Sequence, residues 1–352
     1  MPEPKQHILV TGGAGYIGSH TAKALAARGF TPVVYDNLLY GHRWAVQWGP
    51  FVEGDIRDRA RLVDTLRGYD ISAVLHFAAL AYVGESMKSP GRYFDNNVTG
   101  SLSLLDAVLE AGARHVVLSS SCATYGIPDR MPISEDTPQC PINPYGETKL
   151  IVERALRWYG AAHGISWAAL RYFNAAGADP DGQLGELHLP ETHLIPLVLQ
   201  AALTDTEFNL FGDDYPTRDG TCVRDYIHVS DLADAHVLAL EYLLNGGTPV
   251  ALNLGTGNGY TVLEVIQAAQ AVTDREVPHR MAERRPGDPA ILIADPARAE
   301  RILGWRAQRS GLESIISSAW AWHLHHDQGG RGLTATGDRR HLTGHISEAE
   351  HR

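Results

Sequence analysis

The chain has 352 residues, 44% of them hydrophobic and 20% charged, which suits one large domain or two unequal ones with a substantial core and excludes disorder in bulk. A formal charge of −11 argues against an extended nucleic-acid face, and no apolar run approaches the ~20 residues of a membrane span. Three cysteines without paired spacing, Cys122, Cys140 and Cys222, read as reduced thiols, and a strand beginning at His7 leaves no room for a signal peptide, so a soluble cytoplasmic protein is expected.

In chain order, His7-Ile8-Leu9-Val10 is a short apolar run of the kind a buried parallel strand carries. Thr11-Gly12-Gly13-Ala14-Gly15-Tyr16-Ile17-Gly18 follows, then a helical segment from Ser19 to Arg28. Gly12, Gly15 and Gly18 lie three apart: the first permits a tight turn, the second lets backbone approach a pyrophosphate, the third lets helix pack on strand. A phosphate there meets free N–H groups and a favourable dipole. The next strand, Pro32-Val33-Val34-Tyr35, ends in Asp36, near the ~20-residue offset of the carboxylate that bonds a ribose 2′-hydroxyl. A carboxylate repels a 2′-phosphate, so NAD is favoured over NADP, although Asp36 also suits a plain strand-end turn. Asp55 and Ile56 close a third strand, where side chains can flank an adenine. Ala73 to Ala79 is a further buried strand with small residues at its carboxyl end, and its His76 reads as a satisfied strand histidine. Asn96-Asn97-Val98 begins a predicted helix through Glu110, from which Asn96 offers an amide. His115 to Leu118 breaks into Ser119-Ser120-Ser121 and then Cys122-Ala123-Thr124-Tyr125-Gly126, polar groups at the end of a strand that would line a ligand crevice. Strands and helices alternating in this way describe an α/β fold with a doubly wound parallel sheet of the Rossmann type.

Pro144-Tyr145-Gly146-Glu147-Thr148-Lys149 opens the next helix. Residues four apart share a helix face, which sets the Tyr145 phenol beside the Lys149 ammonium. A free tyrosine titrates near ~10; a neighbouring cation favours the phenolate, and a tyrosine so tuned can take a proton from an alcohol and return it. With 14 tyrosines but only four lysines in the chain, a chance pair at this spacing is rare. Trp167 to Asn174 is another strand with a polar end, and beyond Asp179 the pattern loosens around Pro180, Gly182, Gly185 and Pro190, as a smaller loop-rich lobe would. In Gly220 to Val229, the Arg224 guanidinium matches phosphate oxygens as a fork, with Asp225 or Asp231 as its partner if its role is structural. Ser230-Asp231 starts a helix through Leu244, Ala251 to Gly255 is a late strand, and Thr256-Gly257-Asn258-Gly259 mimics a second phosphate loop but reads as structural. A helix from Leu312 to His323 completes the lobe, and the scattered histidines beyond it suggest a frayed tail. The expected division is 1–177 for dinucleotide binding, with 226–260 returning to it, 178–325 for a mixed substrate lobe, and 326–352 for a flexible tail.

The TGGAGYIG opening, Asp36, the serines before Tyr125-Gly126 and Tyr145-x3-Lys149 together resemble the extended short-chain dehydrogenase/reductase family. Over roughly residues 7 to 325, the chain is most similar to that family's UDP-sugar 4-epimerase branch. The resemblance implies a tightly held NAD, a hydride taken from sugar C4 and returned to the opposite face, UDP-glucose and UDP-galactose as the substrate pair, and a homodimer through the helices Asn97–Glu110 and Thr148–Tyr159. It implies a cofactor set of Gly12, Gly15, Tyr16, Ile17, Gly18, Asp36, Asn37, Asp55, Ile56, Phe77, Ala78, Ala79, Asn96, Ser119, Tyr145, Lys149, Tyr172 and Phe173. Substrate would meet Ser121, Tyr145, Asn174, His193, Leu194, Phe211, Arg224, Arg285, Asp288 and Leu292. In catalysis Tyr145 is the base, Lys149 holds its proton affinity down, and Ser121 bonds O4 and relays the proton. No metal is expected.

The chain departs from that pattern at three places. His193 stands where relatives often carry asparagine and is expected to act through hydrogen bonds; Leu292 is intermediate at a position that sets pocket size; Ala81 replaces a lysine that some relatives hold near the cofactor phosphates, with Tyr82 able to compensate. A 4,6-dehydratase would need an Asp-Glu pair where Cys122 and Ala123 stand. A 4-epimerase of UDP-xylose/UDP-arabinose, of UDP-N-acetylhexosamine or of a UDP-uronate is the nearer alternative, and a non-catalytic NAD sensor would be expected to lose Tyr145 or Lys149.

Overall fold

The structure is a computed structural model and describes residues 6–285 and 288–330. Its centre is a seven-stranded, wholly parallel sheet of β1 (His7–Thr11), β2 (Thr31–Asp36), β3 (Phe51–Glu53), β4 (Ala73–His76), β5 (His115–Ser121), β6 (Ser166–Tyr172) and, after a long excursion, β11 (Val250–Leu254). The strand order is β11-β6-β5-β4-β1-β2-β3. Side chains alternate across a strand, and here both faces are covered. Leu9, Val74, Val116, Leu118 and Trp167 pack with α2 (Arg59–Gly68), α5 (Gly100–Ala111) and α6 (Pro144–His163) through Leu62, Leu104, Val108, Val152 and Leu156. Ile8, Val10, Leu75, Val117 and Leu170 pack on the other face with α1 (Tyr16–Ala27), α8 (Val229–Leu244) and α10 (Ala297–Leu303), through Leu25, Leu232, Leu240 and Ala299. Two covered faces explain why these strands read as continuous apolar runs rather than alternating ones. The order reverses between β1 and β4, and such a switch point opens a crevice at the strands' carboxyl ends.

The lobe over that crevice holds three small sheets. β7 (Asn174–Ala176) pairs with β10 (Tyr226–His228), β9 (Val223–Arg224) lies between β12 (Tyr260–Thr261) and β14 (Ile291–Leu292), and β8 (Phe208–Phe211) pairs with β13 (His279–Ala282). Their core is built with α7 (Leu194–Thr204), α9 (Val262–Thr273) and α11 (Leu312–Gly330) from Ile195, Leu199, Val265, Ile266, Ile315 and Ile316. Short α3 (Val83–Lys88) and α4 (Pro90–Tyr93) complete the element list. No helix among the described residues is long and apolar enough to cross a membrane.

Three elements differ from expectation. α1 begins at Tyr16, earlier than Ser19, because Gly15 already takes the extended conformation of an N-cap. The helix expected from Asn96 begins at Pro90, which sits at the first helical position, where a missing N–H costs nothing; it then widens into a π-helical turn over Phe94–Thr99 before α5. Asn96 and Asn97 therefore stand in mid-helix. α11 runs on past His323 to Gly330, and the expected tail beyond it lies outside the described residues.

Candidate active site

The glycine loop is built by steric exclusion. Gly12 has φ +71°, its N–H donates to the Tyr35 carbonyl at 2.9 Å, and a Cβ there would stand 2.6 Å from the Ala78 nitrogen. A Cβ on Gly18 would collide with the Gly12 carbonyl, whereas one on Gly15 would meet only the Gly12 oxygen at 3.3 Å. The space over Gly15 is open, and α1 behind it has no side-chain cap and no acidic residue in its first turn, so its leading N–H groups and dipole face that space. Asp36, 7% exposed, accepts N–H bonds from Ala14 at 3.0 Å and Leu38 at 2.8 Å; burial raises its carboxyl against those bonds. An open cradle of amides with a carboxylate at the end of β2 fits a dinucleotide with an unphosphorylated ribose.

Around this cradle the other cofactor candidates divide. Phe77, Ala78 and Ala79 are partly exposed beyond β4, and the N–H groups of Phe77 and Ala78 both donate to Thr11 O. The Tyr16 hydroxyl is committed elsewhere, donating to Gly177 O at 2.6 Å, and the Ile17 side chain packs against the core. Ile56 turns its side chain into the core against Gly100. Asp55 pairs with Arg57 and accepts from Asn37, and the Arg57 bond holds its carboxyl down at about 2. Among the described residues the Asn96 amide donates to the Asn97 side chain alone; Asn97 brackets the backbone of Leu80 and donates to Thr148 Oγ1 at 3.0 Å, tying the end of β4 to α6.

α6 starts where the sequence places it: Pro144 occupies its first turn and Asn143 caps it by accepting the Gly146 N–H at 2.8 Å. Tyr145 and Lys149 are 8% and 5% exposed. Lys149 Nζ donates to Ser119 O at 2.7 Å, its one acceptor among the described residues, and lies 5.9 Å from the Tyr145 ring centre. Two of its N–H bonds thus remain for a ligand such as a ribose diol. Burial lowers Lys149 to about 8, and the Glu153 carboxylate works against that fall. The expected lowering of the Tyr145 phenol is not found. Burial pushes it up, the Tyr172 phenol adds to the rise, and the Ser121 hydroxyl beside it opposes them. The physical reason is burial: among the chain's own groups, desolvation of the phenolate is the largest cause, and the ammonium, 5.9 Å from the ring centre, does not offset it. Ser121 Oγ accepts the Ala123 N–H at 3.1 Å, which leaves its own proton to donate. Ser119 and Tyr172 share a hydrogen bond at 2.6 Å.

On the lobe side, Asn174 Nδ2 donates to Asp225 O at 3.1 Å. Arg224 pairs with Asp288 and donates to Val223 O, so its structural partner is neither Asp225 nor Asp231, the two expected for a structural role. Asp225 collects N–H bonds from Thr256, Gly257 and Ala294, which is also why the 256–259 loop is no phosphate cradle. Asp231 accepts from Ser310 and Arg309. The Arg285 guanidinium lies 4.1 Å from the Phe211 ring centre. Leu292 is opposite Arg224 across the β14–β9 ladder and borders a cluster of Tyr125, Ile133, Phe173 and Ala294; the Phe173 side chain therefore packs in that cluster and does not stand free at the crevice. His193 lies 2.6 Å from Glu186 Oε1 and Leu194 opens α7. Ala81 is exposed, and Tyr82 leans on Tyr40 and His188. Sequence reasoning missed Asn97 and Glu153 with Arg171, because each acts through partners distant in the chain, and Glu186 with His188, whose short spacing to Glu191 and His193 follows no familiar motif.

The model of the NAD dependent epimerase/dehydratase family matches residues 8–255. The UDP-glucose 4-epimerase of Rhizobium meliloti (strain 1021) is 57% identical over 325 residues, covering 92% of this chain and 99% of that relative. A crystal structure of UDP-glucose 4-epimerase from Brucella ovis in complex with NAD superposes with a TM-score of 0.88 at 56% identity, covering 90% of this chain and 97% of that one. The UDP-glucose-4-epimerase of Stenotrophomonas maltophila, with bound NAD and formylated UDP-arabinopyranose, gives a TM-score of 0.89 at 44% identity over 92% of this chain and 99% of that one.

Proposed function

The chain belongs to the NAD dependent epimerase/dehydratase family, and from that premise we propose that it epimerises a UDP-sugar at C4, with UDP-glucose and UDP-galactose as the interconverted pair. Bound in the cradle, NAD would supply a reversible hydride acceptor and a positive charge. The observation that carries the reading is the placement of Tyr145, Lys149 and Ser121 together, buried at the carboxyl end of β5 beside the β1/β4 switch point. Tyr145 takes the proton of the 4-hydroxyl and Ser121 holds O4 and relays it. Lys149 turns its two free N–H bonds to the ribose and keeps a cation within reach of the phenol. Asn174, Arg224 and Arg285 anchor the diphosphate while the oxidised sugar turns its other face; when Arg224 grips phosphate, Asp288 is released toward the nucleoside hydroxyls. Residues 1–177 with 226–260 hold the dinucleotide, and 178–325 hold the nucleotide sugar. α5 and α6 keep Leu102 and Trp158 exposed, the latter at 75%, and an apolar face of this kind suits a homodimer; the cytoplasm is the proposed location.

Purified protein given UDP-glucose, UDP-N-acetylglucosamine and UDP-xylose separately is expected to form UDP-galactose fastest. Tyr145→Phe should lower kcat by roughly 100- to 10,000-fold with NAD still bound, read by its fluorescence on reduction. Near-normal turnover in that variant removes Tyr145 as the base, and faster epimerisation of UDP-xylose would assign the pentose pair instead.

A further inference from the structure

Four side chains on the segment leading into α7 turn their donor atoms toward one point: Glu186, His188, Glu191 and His193, with one ligand atom from each lying within 4.8 Å of the others. The Nδ1 atoms of His188 and His193 converge on Glu186 Oε1 at 3.1 and 2.6 Å, while Glu191 oxygens stand 3.8 and 3.5 Å from the same two nitrogens. Ligands ~2.0–2.2 Å from a tetrahedral zinc stand roughly 3.3–3.6 Å from one another, and these four nitrogen–oxygen spacings lie on either side of that range within a set no wider than 4.8 Å. The frame is already fixed: Trp322 Nε1 donates to Glu186 O at 3.2 Å, His42 Nε2 donates to Leu187 O at 2.9 Å, and the N–H groups of Thr192 and His193 both donate to Glu191 Oε1.

Two further observations point to a missing occupant. His188 Nδ1 is buried and, though 3.1 Å from Glu186 Oε1, is not aligned for a hydrogen bond with any of the described residues, and the Tyr82 hydroxyl, whose ring packs on both imidazoles, is likewise buried without a partner among them. Glu186 itself is only 6% exposed, an expensive place for a carboxylate whose partners are two imidazoles that are neutral unless protonated. We propose that these four side chains bind a single Zn²⁺. Two imidazole nitrogens with two carboxylates suit a borderline transition ion better than Mg²⁺ or Ca²⁺, which seek shells of oxygen. Four protein ligands close the shell, so the ion is structural: it fastens the segment that presents His193 and Leu194 against Tyr16, whose ring meets His188 edge-on at 6.4 Å. Ligation through Nδ1 leaves the Nε2 edge of His193 for a hydrogen bond. The sequence gives little warning, since the Glu-x-His-x2-Glu-x-His spacing matches no common zinc signature.

The test uses the full chain, stripped with dipicolinate and then titrated with Zn²⁺ and separately with Co²⁺. About one Zn²⁺ per chain should be retained after gel filtration, measured by plasma mass spectrometry, and Co²⁺ should give the intense visible bands of a four-coordinate site. His188→Ala and Glu186→Gln should each weaken Zn²⁺ binding by at least the roughly 100-fold that even an outer-shell loss can cost, with NADH binding by fluorescence as the check on folding. Zinc retained equally by wild type and both variants would mark adventitious binding to the other histidines and overturn the proposal. A weak octahedral Co²⁺ spectrum in the wild-type chain would overturn it whatever the variants do.

Discussion

Glu153 stands one turn beyond Lys149 and two beyond Tyr145, so a single face of α6 carries phenol, ammonium and carboxylate. It is 1% exposed and pairs with Arg171, also 1% exposed, through three hydrogen bonds of 2.6–3.2 Å, and it accepts from Ser120 and Gln139 as well. Burial pushes its carboxyl up, yet the Arg171 bonds prevail and leave it below the usual range. The other end of Arg171 donates to Tyr125 Oη, which donates to Asn253, so the pair ties α6 to β6 and β11. A buried ion pair contributes little net stability over an apolar pair, but removing one partner strands the other. Glu153→Gln is therefore expected to cost about 3–5 kcal/mol in urea unfolding, with much of the loss recovered in Glu153→Gln/Arg171→Met. A single-variant loss below about 1 kcal/mol would show that water reaches Arg171. Glu153 also props up the Lys149 charge, so kcat should fall with it even where the variant remains folded.

At the scale of elements, the turn from β1 into α1 makes the sharpest claim. Gly12→Ala combines a left-handed backbone, worth ~1–2 kcal/mol against a side chain, with a methyl driven at the backbone of Ala78. The turn should open and NADH affinity should fall at least ~10-fold, by fluorescence titration; an unchanged affinity would mean the pyrophosphate does not pass over this turn. What could be read from the sequence was what is local: glycines three apart, apolar strands with both faces covered, Asp36 at the end of β2, and a tyrosine and lysine one turn apart. What could not be read depends on partners brought together by the fold. Arg224 and Asp288 are 64 residues apart, and nothing near either says that Asp225 will be occupied by the Thr256 loop. The π-helical turn over Phe94–Thr99 carries Asn97, which bonds both Leu80 and Thr148, and these partners are invisible in Asn96-Asn97-Val98. The Tyr145 phenol follows the same division: helix spacing gives its neighbour, while burial, a property of the assembled site, raises its proton affinity as far as the chain's own groups set it.

Across the whole molecule, the helices on the α1/α8 side of the sheet and the lobe over them enclose histidines that the chain holds neutral. His20, His228 and His236 are 4%, 1% and 0% exposed, and burial lowers each to about 4. His20 and His228 also feel charged neighbours, Asp179, Lys23, Asp231 and Arg309 among them, whereas His236 lies against the rings of Phe77 and Tyr172, with Nδ1 donating to Leu232 O and Nε2 unbonded. Each folded-state value lies below the unfolded value of ~6.5. Above that value both states are neutral and the contribution is fully present. As the pH falls from about 6.5 toward 4, the unfolded chain takes up protons that the folded chain refuses, and stability is lost. One such group is worth roughly 2 kcal/mol between pH 7 and pH 5. His236→Phe removes that titration without stranding a hydrogen bond, because Leu232 O remains within its helix. The wild-type chain should therefore lose about 2 kcal/mol more than His236→Phe between those two pH values, taken from urea midpoints at each. Parallel losses in the two proteins would place a charge or a water beside His236 and would mean that the interface between α8 and the sheet is wetter than its packing indicates.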